Sequence, residues 1–170
     1  MQIIAISGSA RPDSSNYKLL RAMAKHKPAW AVGISRLPEK LPLFRAQDDS
    51  NPLPATVIAW RNALAAADGL IISSPEYAHN IPAVVKNALE WLVSSGELAG
   101  KRVLPIILTP HAPRGAKAMQ SLCWTLKSMD ARILAQLPLF QDQIEWDENG
   151  QIMPGESLDT LDAALSLFSD

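Results

Sequence analysis

A run of small polar residues, from Gly8 to Asn16, directly follows a short apolar stretch near the start of the chain. Hydroxyl groups, a side-chain amide and one fixed positive charge come from Ser9, Arg11, Ser14, Ser15 and Asn16. Gly8 lets the backbone turn sharply because it has no Cβ. A helix that begins at the end of this run would point its free N–H groups at the same loop, where they favour an anion. The run therefore predicts a site for a phosphate group with about two negative charges.

The same residues also have a purely local interpretation. Ser, Asp and Asn often precede a helix because their side chains accept hydrogen bonds from its first N–H groups. Ser15 or Asn16, taken alone, fits such a helix cap at least as well as a ligand site. The whole run after an apolar strand favours the phosphate interpretation.

Short apolar runs alternate with segments of helical period along the rest of the chain. Strands are predicted at 2–6, 30–36, 70–73, 102–108 and 131–140, and helices at 16–26, 55–67, 81–95, 116–130 and 156–168. Pro28 is expected to end the first helix. The proline-dotted stretch that follows the second strand is not expected to form regular structure.

Strands that alternate with helices indicate an α/β protein with a parallel sheet covered on both faces. Five of each match a flavodoxin-like, doubly wound, five-stranded parallel sheet of order 2-1-3-4-5, with helices on both faces. The ligand of such a sheet lies at the carboxyl ends of the strands. A Rossmann dinucleotide fold is the alternative, but its glycine fingerprint is missing after the first strand. We expect residues 1–170 to form a single domain.

Composition limits the classes of function. The chain has 16 basic and 17 acidic residues and a formal net charge of -1, so no nucleic-acid partner is expected. Cys123 is the single cysteine, which excludes an intramolecular disulfide and a cysteine-based zinc site. The apolar run from Ile3 to Ile6 is too short for a signal peptide or a membrane span. We therefore expect a cytoplasmic protein with no membrane partner.

Two segments carry a resemblance to a known family. GSARPDSSN, residues 8–16, resembles the GSxRxxSxN loop of the NAD(P)H-dependent FMN reductases, which include quinone, chromate and azo-dye reductases. SSPEYAHNIPAVVKNALEWL, residues 73–92, resembles that family's PEYN-x-S-x-P-x-x-(L/V)-K-N-A-(I/L)-(D/E)-W segment. The resemblance covers nearly the whole chain, with both motifs in the expected order.

The resemblance implies a flavin mononucleotide (FMN) site. Ser9, Arg11, Ser14 and Asn16, together with Ser15 and the loop amides, are expected to bind the FMN phosphate. The segment expected along the isoalloxazine ring consists of Pro75, Glu76, Tyr77 and Ala78. Hydride would pass from NADPH or NADH to FMN and on to a small acceptor such as a quinone, chromate, an azo compound or free flavin. The cofactor supplies this chemistry, so no catalytic side chain and no metal is predicted, and a homodimer or homotetramer is expected.

Several residues keep a structural alternative. Tyr77 could cover the core below its loop, and Glu76 could pair with a neighbouring subunit. His79 and His111 are more readily explained as solvated residues, and Cys123 as an inert buried thiol. The helix residues Lys86, Asn87 and Trp91 are expected to be structural or intersubunit residues.

The sequence departs from the family pattern in two loops. Ala78 replaces the usual Asn, and Asn80 replaces the usual Ser. The loop after the fourth strand, residues 109–117, has Gly115 alone where the family has a Gly-Gly turn. FMN affinity, ring exposure or nicotinamide docking could differ as a result. Arg114 in this loop could meet an anionic nucleotide or acceptor, or could be solvated.

Two rival functions remain open. The first is a non-enzymatic electron-transfer module that binds FMN, which the motifs do not separate from an enzyme. The second is a flavin-free interaction protein on the same fold, which the altered loops at 78–80 and 109–117 would allow.

Overall fold

The computed structural model describes residues 1–27, 29–50 and 52–169. Its strands are β1 (Gln2–Ser7), β2 (Ala31–Ser35), β3 (Gly69–Ser74), β4 (Arg102–Thr109), β5 (Arg132–Ile133) and β6 (Leu137–Phe140). Its α-helices are α1 (Ser15–His26), α2 (Ala55–Ala66), α3 (Ala83–Glu90), α4 (Ala116–Lys127) and α5 (Glu156–Ser166). Pro28, which was expected to end α1, lies outside the described residues.

All pairings in the sheet are parallel, and the strand order is β2-β1-β3-β4-β5, with β6 also paired to β4. This order confirms the predicted flavodoxin-like topology. Continuous apolar strands such as β3 fit it, because both faces of a parallel sheet are covered.

The predicted fifth strand is interrupted. Arg102 pairs with Arg132, an offset of 30 residues, whereas Ile106 pairs with Leu137, an offset of 31. One additional residue therefore lies between β5 and β6, as in a β-bulge. The break lies beside Pro105 of β4, which has no N–H to donate to a neighbouring strand. Five sheet positions are thus filled by six strand segments.

Helices cover both faces of the sheet, as predicted. On one face, Leu70 and Ile72 of β3 belong to an apolar core with Trp60 of α2 and Leu122 of α4. On the other face, Ile71 belongs to a core with α1 and α5, which include Leu20 and Leu161. The alternation of β3 side chains between these cores is that of a strand buried on both faces.

The proline-rich stretch after β2 contains two short 3₁₀ turns, Leu37–Lys40 and Ala46–Asp48. It is fixed to α3 by side chains of the second motif. Asn87 accepts a hydrogen bond from the Phe44 amide and donates one to the Pro42 carbonyl, at 2.7 and 3.0 Å. The Trp91 indole donates to the same carbonyl at 2.8 Å. Asn87 and Trp91 therefore have structural roles, as expected.

α3 ends at Glu90, five residues before the predicted end at 95. The Arg61 guanidinium donates to the Trp91 carbonyl from both Nε and Nη2, at 2.9 and 2.7 Å. These bonds satisfy a carbonyl at the carboxyl end of the helix, where the helix itself provides no partner. The carboxyl end of α3 is therefore capped by a side chain of α2. The helical period of the sequence alone did not indicate this earlier end.

Candidate functional site

The loops that follow β1, β3 and β4 meet at the carboxyl ends of these strands and enclose a cleft of about 560 Å³. Every predicted site residue lines this cleft: Ser9, Arg11, Ser14, Ser15, Asn16, Pro75, Glu76, Tyr77 and Ala78. The sequence prediction did not include the remaining lining residues as site residues: His79, Leu108, Thr109, Pro110, Arg114 and Gln141. The two motifs, far apart in the chain, therefore belong to one cavity.

Close packing against the end of β3 fixes the entry of the first loop. The Gly8 amide donates to the Ser73 carbonyl at 2.7 Å. A Cβ at position 8 would lie 2.4 Å from Ser74 Oγ, so only glycine fits without a shift. Within the loop, the Ser9 amide donates to Ser7 Oγ at 3.0 Å and the Arg11 amide to Ser9 Oγ at 3.3 Å.

α1 begins at this loop, and its cap is Ser14. Ser14 Oγ accepts a hydrogen bond from the Tyr17 amide at 3.3 Å. The helix-cap interpretation considered for Ser15 and Asn16 therefore applies to Ser14 instead, and Ser15 is the first helical residue. Within the described residues, the amides of Ser15 and Asn16 have no hydrogen-bond partner. Such free N–H groups at a helix start form an anion site with the helix dipole.

Asn16 is held by a residue that the sequence prediction missed. The Ser73 hydroxyl donates to Asn16 Oδ1 at 2.8 Å, and both residues are almost completely buried. Because the amide oxygen is used in this bond, the Nδ2 donors are the end of the side chain that remains for the cleft. Ser73 is the penultimate residue of an apolar strand, and its sequence position alone gives no signal of this role.

The loop after β3 contains a tight turn. The Tyr77 and Asn80 backbones exchange two hydrogen bonds of 2.9 Å each, and Ala78 and His79 between them have φ of 50° and 60°. Two central residues with positive φ are characteristic of a type I′ turn. Tyr77 is 58% exposed, so it does not cover the core, contrary to the structural alternative for this residue.

Glu76 ties this loop to α4. Its Oε2 accepts a hydrogen bond from the Ala118 amide at 3.0 Å, and its Oε1 lies 3.6 Å from Nδ1 of His79, whose side chain is 85% exposed. The N-cap residue of α4 is Gly115, which has no side chain to bond the free amides. Glu76 therefore acts as a cap from another loop, and its negative charge suits the amino end of a helix. The contact occurs within one chain, whereas the structural alternative placed the partner in a neighbouring subunit.

The third loop reaches the cleft with a single glycine. Gly115 has φ of 100°, and a Cβ there would lie 2.7 Å from Ile107 Cγ2. One glycine thus provides both the left-handed backbone and the close approach to β4. Arg114, the residue before it, lines the cleft.

A polar cluster behind the first loop fixes the position of α1. The Tyr17 hydroxyl donates to Glu39, which also accepts hydrogen bonds from Arg36. Burial, together with the bond to Glu39, raises the pKa of Tyr17 to about 12. Burial favours a higher pKa for Glu39 as well, but the bonds from Arg36 and Tyr17 outweigh it, and the pKa of this carboxyl is lowered.

Cys123 is buried, and burial raises the pKa of its thiol. A thiol that resists ionisation is a poor nucleophile. This agrees with the expectation of an inert cysteine.

The donor set fits an FMN phosphate. The loop after β1 combines hydroxyl groups, free helix amides, the Arg11 guanidinium and the oriented Asn16 amide, with Gly8 packed where a Cβ would not fit. Glu76 is the only carboxylate among the lining residues in the described part of the chain, and it is bonded to α4. Anion-binding groups are therefore concentrated at one end of the cleft.

Comparisons with known proteins agree with this geometry. The NADPH-dependent FMN reductase family matches residues 1–141, and the chain belongs to this family. It is 30% identical to a quinone reductase of Escherichia coli K12, over 100% of this chain and 94% of that protein. It is 34% identical to an NADH:(hydroxy)cinnamate reductase subunit of Vibrio ruber, over 99% and 85% of the two chains.

A solved structure shows the same fold. The flavoenzyme NAD(P)H:(acceptor) oxidoreductase FerB of Paracoccus denitrificans superimposes with a TM-score of 0.86 at 18% identity, covering 99% of this chain and 95% of that chain. The predicted family, fold and enzyme class are thus confirmed: the chain is an oxidoreductase of a family that works with FMN and a nicotinamide nucleotide. Among the described residues, none of the helices combines the length and apolarity that crossing a bilayer requires.

Proposed function

We propose that this protein binds FMN in the cleft and transfers electrons from NADPH or NADH to a small acceptor such as a quinone, chromate, an azo compound or free flavin. Ser9, Arg11, Ser14, Ser15 and Asn16 hold the phosphate, and Pro75 to Ala78 run along the ring. When bound, FMN supplies the hydride and electron chemistry. The protein contributes binding, orientation and a polar backbone along the ring.

One observation carries this proposal: both family motifs line a single cleft, and the residues of the first loop that line it offer hydrogen-bond donors and one positive charge but no carboxylate. Arg11 is exposed and has no ion pair with any described residue, so its charge is available to a ligand. A phosphate at this position also meets the amides that begin α1.

The phosphate role is tested by Arg11→Ala. A hydrogen bond to a charged group is worth about 1.5–3 kcal/mol, so the FMN dissociation constant is expected to rise by at least about tenfold. The free energy of unfolding in urea is expected to change by less than about 0.5 kcal/mol, because Arg11 is exposed. Calorimetric titration with FMN measures the first quantity.

Riboflavin, which has no phosphate, serves as the matched ligand, and its affinity should not change. Lys25→Ala removes an exposed cation from the far end of α1 and should leave FMN binding intact. Equal losses of FMN binding and of folding stability in Arg11→Ala would contradict the phosphate role.

Measurements of turnover and of FMN binding distinguish the enzyme from the two rival functions. Steady-state oxidation of NADPH or NADH with a quinone supports the enzyme, whereas FMN binding without turnover supports an electron-transfer module. A protein that stays colourless after incubation with FMN supports a flavin-free interaction protein.

We further propose that residues 1–170 act as one FMN-binding domain in a cytoplasmic homodimer or homotetramer. The single, buried cysteine suits a reducing compartment. Light scattering of the purified protein measures the oligomeric state.

A further inference from the structure

Arg114 brings a second cation into the cleft, and neither family motif includes it. It lines the cleft from the loop between β4 and α4, and it also borders a second cavity between that loop, α4 and β6. Its guanidinium makes no ion pair and no hydrogen bond to any of the residues in the ranges 1–27, 29–50 and 52–169. Arg114 is exposed, so its five N–H donors are available to solvent or to a ligand.

The charge of Arg114 is not neutralised locally. The only carboxylate among the described lining residues is Glu76, whose Oε2 accepts the Ala118 amide at 3.0 Å. That carboxylate is oriented towards the amino end of α4, where the helix dipole stabilises it. Arg114 therefore lies at the cleft wall without an ion-pair partner among the described residues.

A fixed backbone presents the side chain. Thr109 Oγ1 donates to the Arg114 carbonyl at 3.3 Å, and the Arg114 amide donates to the His111 carbonyl at 3.4 Å. The next residue, Gly115, is packed against Ile107 with φ of 100°. The start of the arginine side chain is therefore held at the cleft.

Arg114 belongs to a different loop from the one proposed to hold the phosphate. That loop follows β1, whereas Arg114 follows β4, and β3 lies between these strands. Adjacent strands are about 4.8 Å apart, which separates the two strand ends by roughly 10 Å. Because Arg11 and the α1 amides are the groups proposed to hold the phosphate, the charge of Arg114 is available to a different molecule.

We propose that Arg114 is a specificity-determining residue that selects electron acceptors with an anionic group, such as a sulfonate, a carboxylate or an oxyanion. The proposal rests on the proposed function and adds the charge class of the acceptor to it. A small acceptor carries its charge close to its reacting atoms, so a cation in the wall of the cleft can pair with it. Guanidinium suits such groups because its planar donors match paired oxygens.

Arg114→Gln tests this with two quinones of similar size, 1,4-naphthoquinone-2-sulfonate and uncharged 2-methyl-1,4-naphthoquinone. Calorimetry on the oxidised, FMN-loaded protein gives each dissociation constant without turnover. We expect the variant to bind the sulfonate about 5- to 10-fold more weakly and the neutral quinone within twofold. The same split is expected in the rates at which each quinone reoxidises the reduced protein.

Ionic strength and two further variants test whether the effect comes from the charge of Arg114. The preference of the wild-type protein for the sulfonate should fall as ionic strength rises, because partly exposed charges are screened. Arg114→Lys, which keeps the positive charge, should retain part of the preference for the sulfonate. Lys117→Gln, which removes an exposed cation of α4 outside the cleft lining, should leave both quinones unaffected.

Three results would overturn the proposal. They are equal losses for both quinones, no loss for either, or a loss confined to reduction by NADPH. In each of these cases normal FMN uptake would leave the proposed function standing. A protein that takes up no FMN contradicts the proposed function as well, so the two failures are distinguishable.

Discussion

At the scale of single residues, the cleft depends on side chains that orient other side chains. Asn16 can present either its oxygen or its two N–H donors, and these have opposite effects on an anion. In the structure the Ser73 hydroxyl donates to Oδ1 at 2.8 Å, so the two N–H donors are the end of the amide presented to the cleft. Ser73 is therefore a positioning residue, because it acts through Asn16.

We predict that Ser73→Ala weakens FMN binding by about 5- to 10-fold, since the Asn16 amide is then free to rotate its oxygen towards the phosphate. Riboflavin binding should change by less than twofold, because riboflavin has no phosphate. Titration of both flavins against the variant measures the difference.

Ser74→Ala is the matched control for this prediction. Ser74 is equally buried, but its hydroxyl donates to the adjacent Pro75 carbonyl and not to Asn16. A Ser73→Ala variant that loses both flavins equally, or neither, would show that Ser73 does not orient Asn16.

Sequence reasoning identified the members of the cleft but not all of their contacts. Arg11 and Tyr77 belong to motifs whose residue types suggest ligand binding. The sequence left Arg114 with two alternatives, an anionic partner or solvent, and gave no indication for Ser73, because their roles depend on what the fold places beside them. The role of a serine at a strand end, or of an arginine before a glycine, depends on its tertiary contacts.

At the scale of elements, the turn in the second motif contains an unfavourable residue. Ala78 has φ of 50°, in the left-handed region that costs most L-residues roughly 1 kcal/mol or more. Asn tolerates this region better and is preferred at the first central position of a type I′ turn. The departure from the family pattern thus has a local energetic consequence.

Ala78→Asn is expected to stabilise the protein by about 0.5–1 kcal/mol. Urea unfolding of the FMN-free protein measures this, so that any change in cofactor affinity does not contribute. Ala83→Asn, an alanine in the first turn of α3, provides a comparison without positive φ and should give no gain. A midpoint that falls in Ala78→Asn would contradict the strained-turn interpretation.

The positions of elements were predictable because apolar runs and helical periods follow from burial. The residues at which the elements end were less predictable. α3 stops at Glu90 under a cap from Arg61, and the last strand breaks beside Pro105. Both depend on groups that are distant in sequence, which a pattern read along the chain does not reveal.

At the scale of the whole molecule, the Tyr17–Glu39 contact joins α1 to the 3₁₀ turn after β2 and makes stability depend on pH. Burial and the bond to Glu39 raise the pKa of Tyr17 from 10.0 to about 12. The unfolded chain therefore releases this proton at lower pH than the folded protein does. The contribution is complete below pH 10 and is lost as pH rises towards 12.

Tyr17→Phe should flatten this dependence. The free energy of unfolding of the wild-type protein is expected to decline more steeply than that of the variant between pH 10 and pH 12. Urea unfolding at several pH values in this window, compared with values at pH 8, measures the two slopes. Parallel slopes would show that Tyr17 titrates alike in the folded and unfolded states.

The broken edge of the sheet has a consequence for association between molecules. A long, straight edge strand offers unpaired N–H and C=O groups on which a foreign strand can assemble. Here the outer position beside β4 changes register by one residue between Ile133 and Leu137, so no uninterrupted row of groups is presented there. Strand addition at that side is therefore discouraged, and β2 is the strand at the opposite edge of the sheet. Pro105, which lies beside this break and has no N–H to donate, thereby helps to prevent strand pairing between neighbouring molecules.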